Sequence, residues 1–431
     1  MFSHYIILPF WECINYIYII TIMNESRNYI LIDGMPSSGK KTISSLLTNK
    51  RNDFVILPQS EQLKKQINIH WQKWKPTMND NTVNIITTIF LEVDPDIAQK
   101  RNNSKHTKKD LIYLRYKYRQ YAGFYGNIHL IDTSLLSVEQ TTDIILSIIN
   151  DKNKEYFVPQ IDSITDKEFD SLPLIIDSCS KIVRKYNEHF HIVRFKPNVY
   201  SFIKKGVNKI PDTDTERTKI TKYILEIISR NEIPHTYLYV GEKYILNKSL
   251  YNGIEIPPIE TIVKKYLIGS DKHNYYNITN YKTRFGRNIV KNESKEYNKL
   301  MVRFDYRNPE YNPDTKKVLG DFTVCDDLAD EFINVKNAKK LVTKCFNVLD
   351  SHFTKMNLTL YDICLMVTVD GNEIYAEISQ DCSRLRPSNC EKDKKLKEIW
   401  CTGGSKEEYV LIRYKYLTNT VEDYVNNMFN I

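Results

Sequence analysis

The chain is poor in the residues that mark specialised architectures. It has 13 glycines in 431 residues, no internal repeat and no long low-complexity tract, which sets aside a solenoid or fibrous array. Its eight cysteines contain no C-x-x-C pair. They also lack a partner histidine at zinc-finger spacing, so a structural zinc module is excluded. They read as reduced thiols of a cytoplasmic protein. The opening stretch, MFSHYIILPFWECINYIYIITI, lacks a basic n-region and a small-residue cleavage site, so a secretory signal is not expected. His4, Glu12 and Asn15 interrupt its apolar run. Residues 1–27 are therefore expected to be an N-terminal extension, with Met23 as the functional start and a peripheral membrane anchor as the alternative.

What is abundant is Lys, Asn, Ile and Tyr. An AT-rich coding sequence, such as that of a large DNA virus, favours these residues. The formal net charge of +8 is then partly compositional, and alone it does not point to nucleic acid. A length of 431 residues exceeds one hydrophobic core, and 42% hydrophobic residues suffices for two.

Residues 28–150 read as the first domain. NYILIDG is a short apolar strand, GMPSSGKKT follows from Gly34 to Thr42, and ISSLLTNK continues as a helix. A strand, a loop bounded by Gly34 and Gly39, then Lys40 and a helix make a phosphate-binding loop. Its backbone N–H groups and helix N-terminus cradle phosphate, and the lysine neutralises it. Ser38, Lys41 and Thr42 complete the candidate ATP-binding set. A bare surface loop is the plain alternative. Further on, TTIFLEVDPDIAQKR is a buried strand followed by a helix ending in Arg101. NIHLIDTSLLSVEQTTDIILSII is a strand, a turn and an amphipathic helix. DLIYLRYKYRQYAGFYG interleaves tyrosine with cations, and is expected to be a helix with a packed tyrosine face rather than a nucleic-acid surface.

Residues 151–171 are charged and weakly periodic and are expected to be a linker. Residues 172–431 read as the second domain. Its most informative stretch is AEISQDCSRLR, residues 376–386. There Ser379, Asp381 and Arg384 place a hydroxyl, a carboxylate and a guanidinium at a strand end, which suits a small anion. A strand end with a salt-bridged arginine is the bland alternative.

These motifs carry two resemblances. Residues 28–150 resemble thymidylate kinase, through the phosphate loop, FLEVDPD with Arg101 as the lid arginine, and HLIDTS. The loop lysine is followed by Lys41 where that family has Ser or Thr. No Asp-Arg pair precedes FLEVD. From about residue 172 the chain resembles SAICAR synthetase, through SLPLIIDSCSKIVRKY, HIVRFKPNVYSF, PIETIVKKYLIGS and EISQDCSRLR. This implies an α/β P-loop domain (a parallel sheet with flanking helices) followed by an α+β domain related to the ATP-grasp fold. It implies ATP-driven joining of aspartate to the ribotide CAIR. Lys264, Ser270, Ser379 and Arg384 would hold the ribotide phosphate, and Asp362, Asp381 and Lys181 would serve catalysis. The family turn reads S-P-D where this chain reads Ser379-Gln380-Asp381. The resemblance also implies Mg2+, but its two usual carboxylate positions are Met366 and Ala376 here. Replacement acids on neighbouring segments are Asp370, Glu373 and Glu377. Expected partners are nucleotides, a purine-pathway ribotide and aspartate, with no specific nucleic acid and no membrane. An oligomer is left open. Host cytoplasm is the expected location for a viral source.

Overall fold

The computed structural model describes residues 28–50, 54–58, 84–101, 106–126, 128–150, 155–201, 206–250, 257–266, 280–282, 288–290, 296–306, 322–388 and 406–429. The N-terminal extension and Ser270 lie outside the described residues. The chain divides into two compact units, Met1–Tyr118 with Tyr125–Gln160, and Arg119–Phe124 with Ile161–Ile431. No helix among the described residues is long and apolar enough to cross a membrane.

The first unit is built on a five-stranded sheet. In chain order come β1 (Asn28–Gly34), α1 (Lys40–Lys50), β2 (Phe54–Pro58), β3 (Asn84–Glu92), α2 (Pro95–Arg101) and α3 (Lys108–Tyr125), of which Arg119–Phe124 count with the second unit. Then follow β4 (Ile128–Asp132), α4 (Val138–Ile149) and β5 (Phe157–Val158). The order across the sheet is β2-β1-β3-β4-β5. β1 to β4 run parallel, and β5 is antiparallel to β4. Near-continuous apolar stretches such as YILI and IFL suit a parallel sheet covered on both faces. Ile30, Ile32, Ile89, Leu91 and Ile131 pack with Ile43 and Leu47 of α1 and Ile145 and Ile148 of α4. α4 starts at a capping box, where Ser137 and Gln140 satisfy each other's backbone N–H groups. α3 buries Leu111, Tyr116 and Tyr118 and also Arg119; Tyr116 and Tyr118, two residues apart, do not share one helix face, so the helix is packed on more than a single tyrosine face.

The stretch expected as a linker is largely ordered. Phe157–Val158 extends the first sheet as β5. Beyond a short 3-10 turn, α5 spans Asp166–Ser171. The cause is again a capping box, here Thr165 with Glu168, and burial of Phe169.

The second unit continues with β6 (Leu174–Asp177), β7 (Lys181–Lys185), β8 (Phe190–Phe195), β9 (Asn198–Ser201) and β10 (Gly206–Lys209). It goes on with α6 (Thr213–Arg230), β11 (Tyr237–Val240), β12 (Tyr244–Lys248), β13 (Ile259–Tyr266), β14 (Asn280–Lys282) and β15 (Asn288–Val290). Then come β16 (Glu296–Tyr306), β17 (Phe322–Val324), α7 (Asp326–Asp330), α8 (Val335–Lys355) and β18 (Leu358–Val367). The unit closes with β19 (Ile374–Tyr375), β20 (Ser383–Pro387) and α9 (Lys406–Phe429). One antiparallel sheet has the order β11-β12-β8-β7-β6. A second has β17-β16-β13-β18, with β19 and β20 both pairing with β18. The separate pairs β9–β10 and β14–β15 complete the described strands. α6, α8 and α9 supply Ile220, Ile224, Leu341, Phe346, Leu417, Val421 and Val425 to one core shared with both sheets. The four-residue spacing of Leu417, Val421 and Val425 places them on one helix face.

Candidate functional site

β18 alternates strictly over its second half. Ile363, Leu365 and Val367 enter the core with Val263 and Phe304. Asp362, Cys364 and Met366 point to the opposite face, as the period of two requires. On that face the register places Lys264 of β13 directly opposite Asp362 of β18, and Asp362 opposite Arg384 of β20. The three residues thus form one cross-strand row. Arg384 donates to Asp362 Oδ2, and Lys264 Nζ lies 3.6 Å from the same oxygen. Two cations share one carboxylate. Arg303 on the same face is paired with Asp305 at 2.6 Å.

Lys264 is fully buried. Burial pulls its pKa from 10.5 down to about 8; Asp362 opposes the shift, while Arg384 and Arg303 add to it. The ammonium is therefore held in place at neutral pH at an energetic cost. An incoming anion would relieve that cost.

The turn after β19 carries the second constellation. Ser379 Oγ donates to Glu377 at 2.5 Å and accepts from the Asp381 N–H at 3.1 Å. Asp381 receives the hydroxyl of Tyr414 from α9 and pairs with Arg217 of α6 at 3.2 Å. Arg217 is fully buried, also donates to the carbonyl of Lys196, and lies over the Phe195 ring at 5.0 Å. Burial and the neighbouring Glu377 raise the Asp381 pKa, while Arg217 and the Tyr414 hydroxyl lower it; the net direction is up. Cys382 is pushed up by burial and by Glu377, and Lys181 on β7 counteracts this. The structure therefore brings Lys264, Asp362 and Arg384 together on one sheet face, and Ser379 and Asp381 together in the turn, with the Lys181 charge felt at Cys382 beside it. Arg217 and Tyr414 were not legible as site residues, because they come from helices far along the chain and sit in no local motif.

Among the described residues the two usual carboxylate positions do not fit a magnesium ion. Met366 and Ala376 offer it no side-chain oxygen. Ala376 also sits at φ +64°, a left-handed conformation that side chains other than Gly and Asn adopt at a cost. The neighbouring acids are engaged elsewhere. Asp370 accepts from Thr368 and Asn372, Glu373 lies 3.9 Å from Lys248, and Glu377 holds Ser379. Among the described residues no group of three or more His, Cys, Asp or Glu side chains could hold a metal.

In the first unit, the loop from Gly34 to Lys40 leaves the C-terminal end of β1. There the chain order switches from the β2 side to the β3 side, which is where open parallel sheets bind ligands. Gly34 has φ +143°, and a Cβ there would lie 2.0 Å from the Leu91 carbonyl oxygen. Only glycine fits so close to β3. Lys40 Nζ reaches back to the carbonyls of Gly34 at 2.5 Å and Met35 at 2.6 Å. Ser38 is buried and donates to Met35 O at 2.8 Å, while Lys41 and Thr42 are exposed in the first turn of α1. Arg101 donates to the Thr133 carbonyl at 2.7 Å and to Ser134 O at 3.3 Å. It is held against the turn after β4, close to where Asp132 caps Ser134.

The fold and the row define the second unit as an antiparallel α+β module that pairs two cations with one carboxylate on a sheet face. A family profile described as SAICAR synthetase matches residues 181–400, and the chain belongs to that family. The curated relative "Bifunctional cordycepin biosynthesis cluster protein 3" of the fungus Cordyceps militaris is 24% identical over 285 residues. The match covers 57% of this chain and 32% of that protein, so the chain spans about a third of the relative's length. Among solved structures, phosphoribosylaminoimidazole-succinocarboxamide synthase of Ehrlichia chaffeensis is similar at 18% identity and a TM-score of 0.45. That match covers 58% of this chain and 98% of the other. SAICAR-synthase from Saccharomyces cerevisiae, complexed with SAICAR, is similar at 15% identity and a TM-score of 0.43, covering 61% and 97%.

Proposed function

We propose that the second unit binds a phosphorylated ribotide on the Lys264–Asp362–Arg384 row and joins aspartate to its carboxylate at the expense of ATP. The observation that carries this reading is the row itself. Two cations converge on one carboxylate, on the sheet face opposite the core-packed one. Arg384 supplies a planar fork and Lys264 a point charge for the ribotide phosphate, with Ser270 as the family's third contact. Asp362 keeps both cations in register.

In the proposed reaction ATP phosphorylates the ribotide carboxylate, releasing ADP. The aspartate amine attacks the acyl phosphate, phosphate leaves, and the amine sheds a proton. Asp381 is suited to accept that proton, because its carboxylate is raised in pKa and fixed by Arg217 and Tyr414. Ser379 fixes the turn, and Lys181 adds positive charge beside it. No step is assigned to magnesium, since the residues present do not fit it. That mismatch favours a second reading, a ribotide- and nucleotide-binding protein without turnover.

For the first unit we infer nucleoside-phosphate binding at Gly34, Ser38, Gly39, Lys40, Lys41 and Thr42, in the manner of thymidylate kinase. Support comes from the position of the loop at the sheet's switch point and from the reach of Lys40 over it. Arg101 would then belong to the lid region. A chain with two such units accords with a relative named bifunctional, and nucleotides, ribotide and aspartate are its proposed small-molecule partners.

The test incubates the full chain with ATP, magnesium, CAIR and aspartate and follows ADP and SAICAR by mass spectrometry. Product that disappears in Arg384→Ala supports the ligase. Binding of CAIR without product supports the second reading, and absence of binding overturns both.

A further inference from the structure

Cys364 and Cys382 stand opposite each other where β18 meets the start of β20. The register pairs Asp362 with Arg384 and Ile363 with Ser383. The next rung is Cys364 with Cys382, and the Cys364 N–H donates to the Cys382 carbonyl at 2.7 Å. Opposite residues of a hydrogen-bonded antiparallel pair have Cα atoms about 5.5 Å apart, inside the span of about 4.4–6.8 Å that a disulfide bridges. Cys364 is two residues from Asp362 and Cys382 two from Arg384, so both thiols share the face of the Lys264–Asp362–Arg384 row. Both are reduced and half-buried. The Cys382 sulfur also holds the turn. It donates to the Ser379 carbonyl at 3.0 Å and accepts the Ser379 N–H at 3.1 Å. Ser379 is fully buried, and its hydroxyl accepts the Asp381 N–H. One sulfur thus pins the segment that carries Ser379 and Asp381.

We propose that Cys364 and Cys382 form a redox modification site, a dithiol that closes to a disulfide and releases the turn. The oxidant class is a low-molecular-weight disulfide. Cys382 is engaged with Ser379, so Cys364 reacts first. Its thiolate attacks one sulfur of the oxidant, the oxidant's S–S bond breaks, and one thiol leaves. Cys382 then gives up its proton, its sulfur attacks that of Cys364, and the second thiol leaves. Two protein thiols are oxidised, and the oxidant is reduced to two thiols. Closure takes the Cys382 proton from the Ser379 carbonyl and turns the sulfur toward β18. The Ser383 hydroxyl, at 3.3 Å, stays on that carbonyl, while the Ser379 N–H loses its sulfur acceptor. The Cβ atoms of opposite residues sit about 4.5–5.5 Å apart, and a disulfide draws them to about 3.5–4.5 Å. The bond is accordingly strained and readily reduced, as suits the transient disulfides of reducing compartments. Its effect on turnover rests on the reading that Ser379 and Asp381 serve the ribotide reaction; the bond and the release of the turn stand without it.

The test equilibrates the full chain with glutathione disulfide or with dithiothreitol, blocks the remaining thiols with iodoacetamide and maps the peptides by mass spectrometry without reduction. A Cys364–Cys382 link within one chain is expected, reversed by dithiothreitol and absent from Cys364→Ser. Hydrogen exchange at the Ser379 amide should quicken at least tenfold in the oxidised wild type. In Cys364→Ser treated with the same oxidant it should stay within twofold. Finding both cysteines alkylated, or singly joined to glutathione, overturns the proposal. So does a link that leaves the Ser379 exchange unchanged. Turnover of ATP, CAIR and aspartate, read on the same samples, should fall at least tenfold on oxidation and recover with dithiothreitol. Reduced protein without turnover would count against the ligase reading alone, and the link and the exchange would still decide the switch.

Discussion

Replacing Lys264 by methionine should make the protein at least as stable and the ligand bind worse. The ammonium is fully buried, and its pKa falls from 10.5 to about 8. That drop corresponds to about 3 kcal/mol of preference for the neutral form. At pH 7 the folded protein nevertheless keeps the proton, so it carries that cost. A buried ion replaced by an apolar side chain of similar volume is often neutral, or stabilising by about 1–4 kcal/mol. Asp362 is not orphaned by the change, because Arg384 still donates to it. The expected result is a gain of up to about 3 kcal/mol at pH 7. The sign with pH follows from proton counts. Between pH 8 and 10.5 the unfolded chain holds more protons than the folded one, so the wild type gains stability as pH rises through that window. The gap to Lys264→Met should therefore shrink toward about pH 10. In the same variant a charge-assisted hydrogen bond worth about 1.5–3 kcal/mol is lost, which is roughly tenfold to a hundredfold in ribotide affinity. Urea unfolding by circular dichroism at about pH 7 and about pH 9.5, with calorimetric titration of the ribotide, reads both quantities. A variant that is several kcal/mol less stable yet binds the ribotide normally would refute the reasoning, because Lys264 would then be a structural cation.

Ribotide affinity of the wild type should be flat below about pH 8 and fall up to about tenfold per pH unit above it, as Lys264 loses its proton. A flat profile up to about pH 10 by calorimetry would contradict the pairing. Arg217→Met should destabilise by about 3–5 kcal/mol, because Asp381 and the Lys196 carbonyl lose a buried partner; a urea-measured loss below about 1 kcal/mol would show that the turn is held by other contacts. Lys40→Ala should weaken ATP binding at least tenfold and leave ribose 5-phosphate binding unchanged, since the two proposed phosphate sites lie in different units. ATP titrations that match the wild type would remove the phosphate-loop assignment.

The row was legible because its members sit in motifs whose strand character is plain from alternation. LTLYDICLMV alternates except at Tyr361-Asp362, and there the structure has a register shift between Leu360 and Asp362. Gly34 and Lys40 were legible for a similar reason, a strand that stops at a glycine-bounded loop. Thr165 and Glu168 show the opposite case. Their T-x-x-E spacing is a helix-start signal, but the surrounding charge made the stretch read as a linker. Arg217 and Tyr414 carry no such signal. Each is one polar residue on an otherwise ordinary helix, and only the tertiary packing of α6 and α9 delivers them to Asp381.

The most direct measurement of the central claim is calorimetric titration of CAIR into the full chain and into Arg384→Ala. The account predicts saturable one-site binding in the second unit, weakened at least tenfold by the substitution. Equal affinity in both proteins would contradict it, because the Lys264–Asp362–Arg384 row would then be a salt-bridged strand end and not the site of the ribotide phosphate.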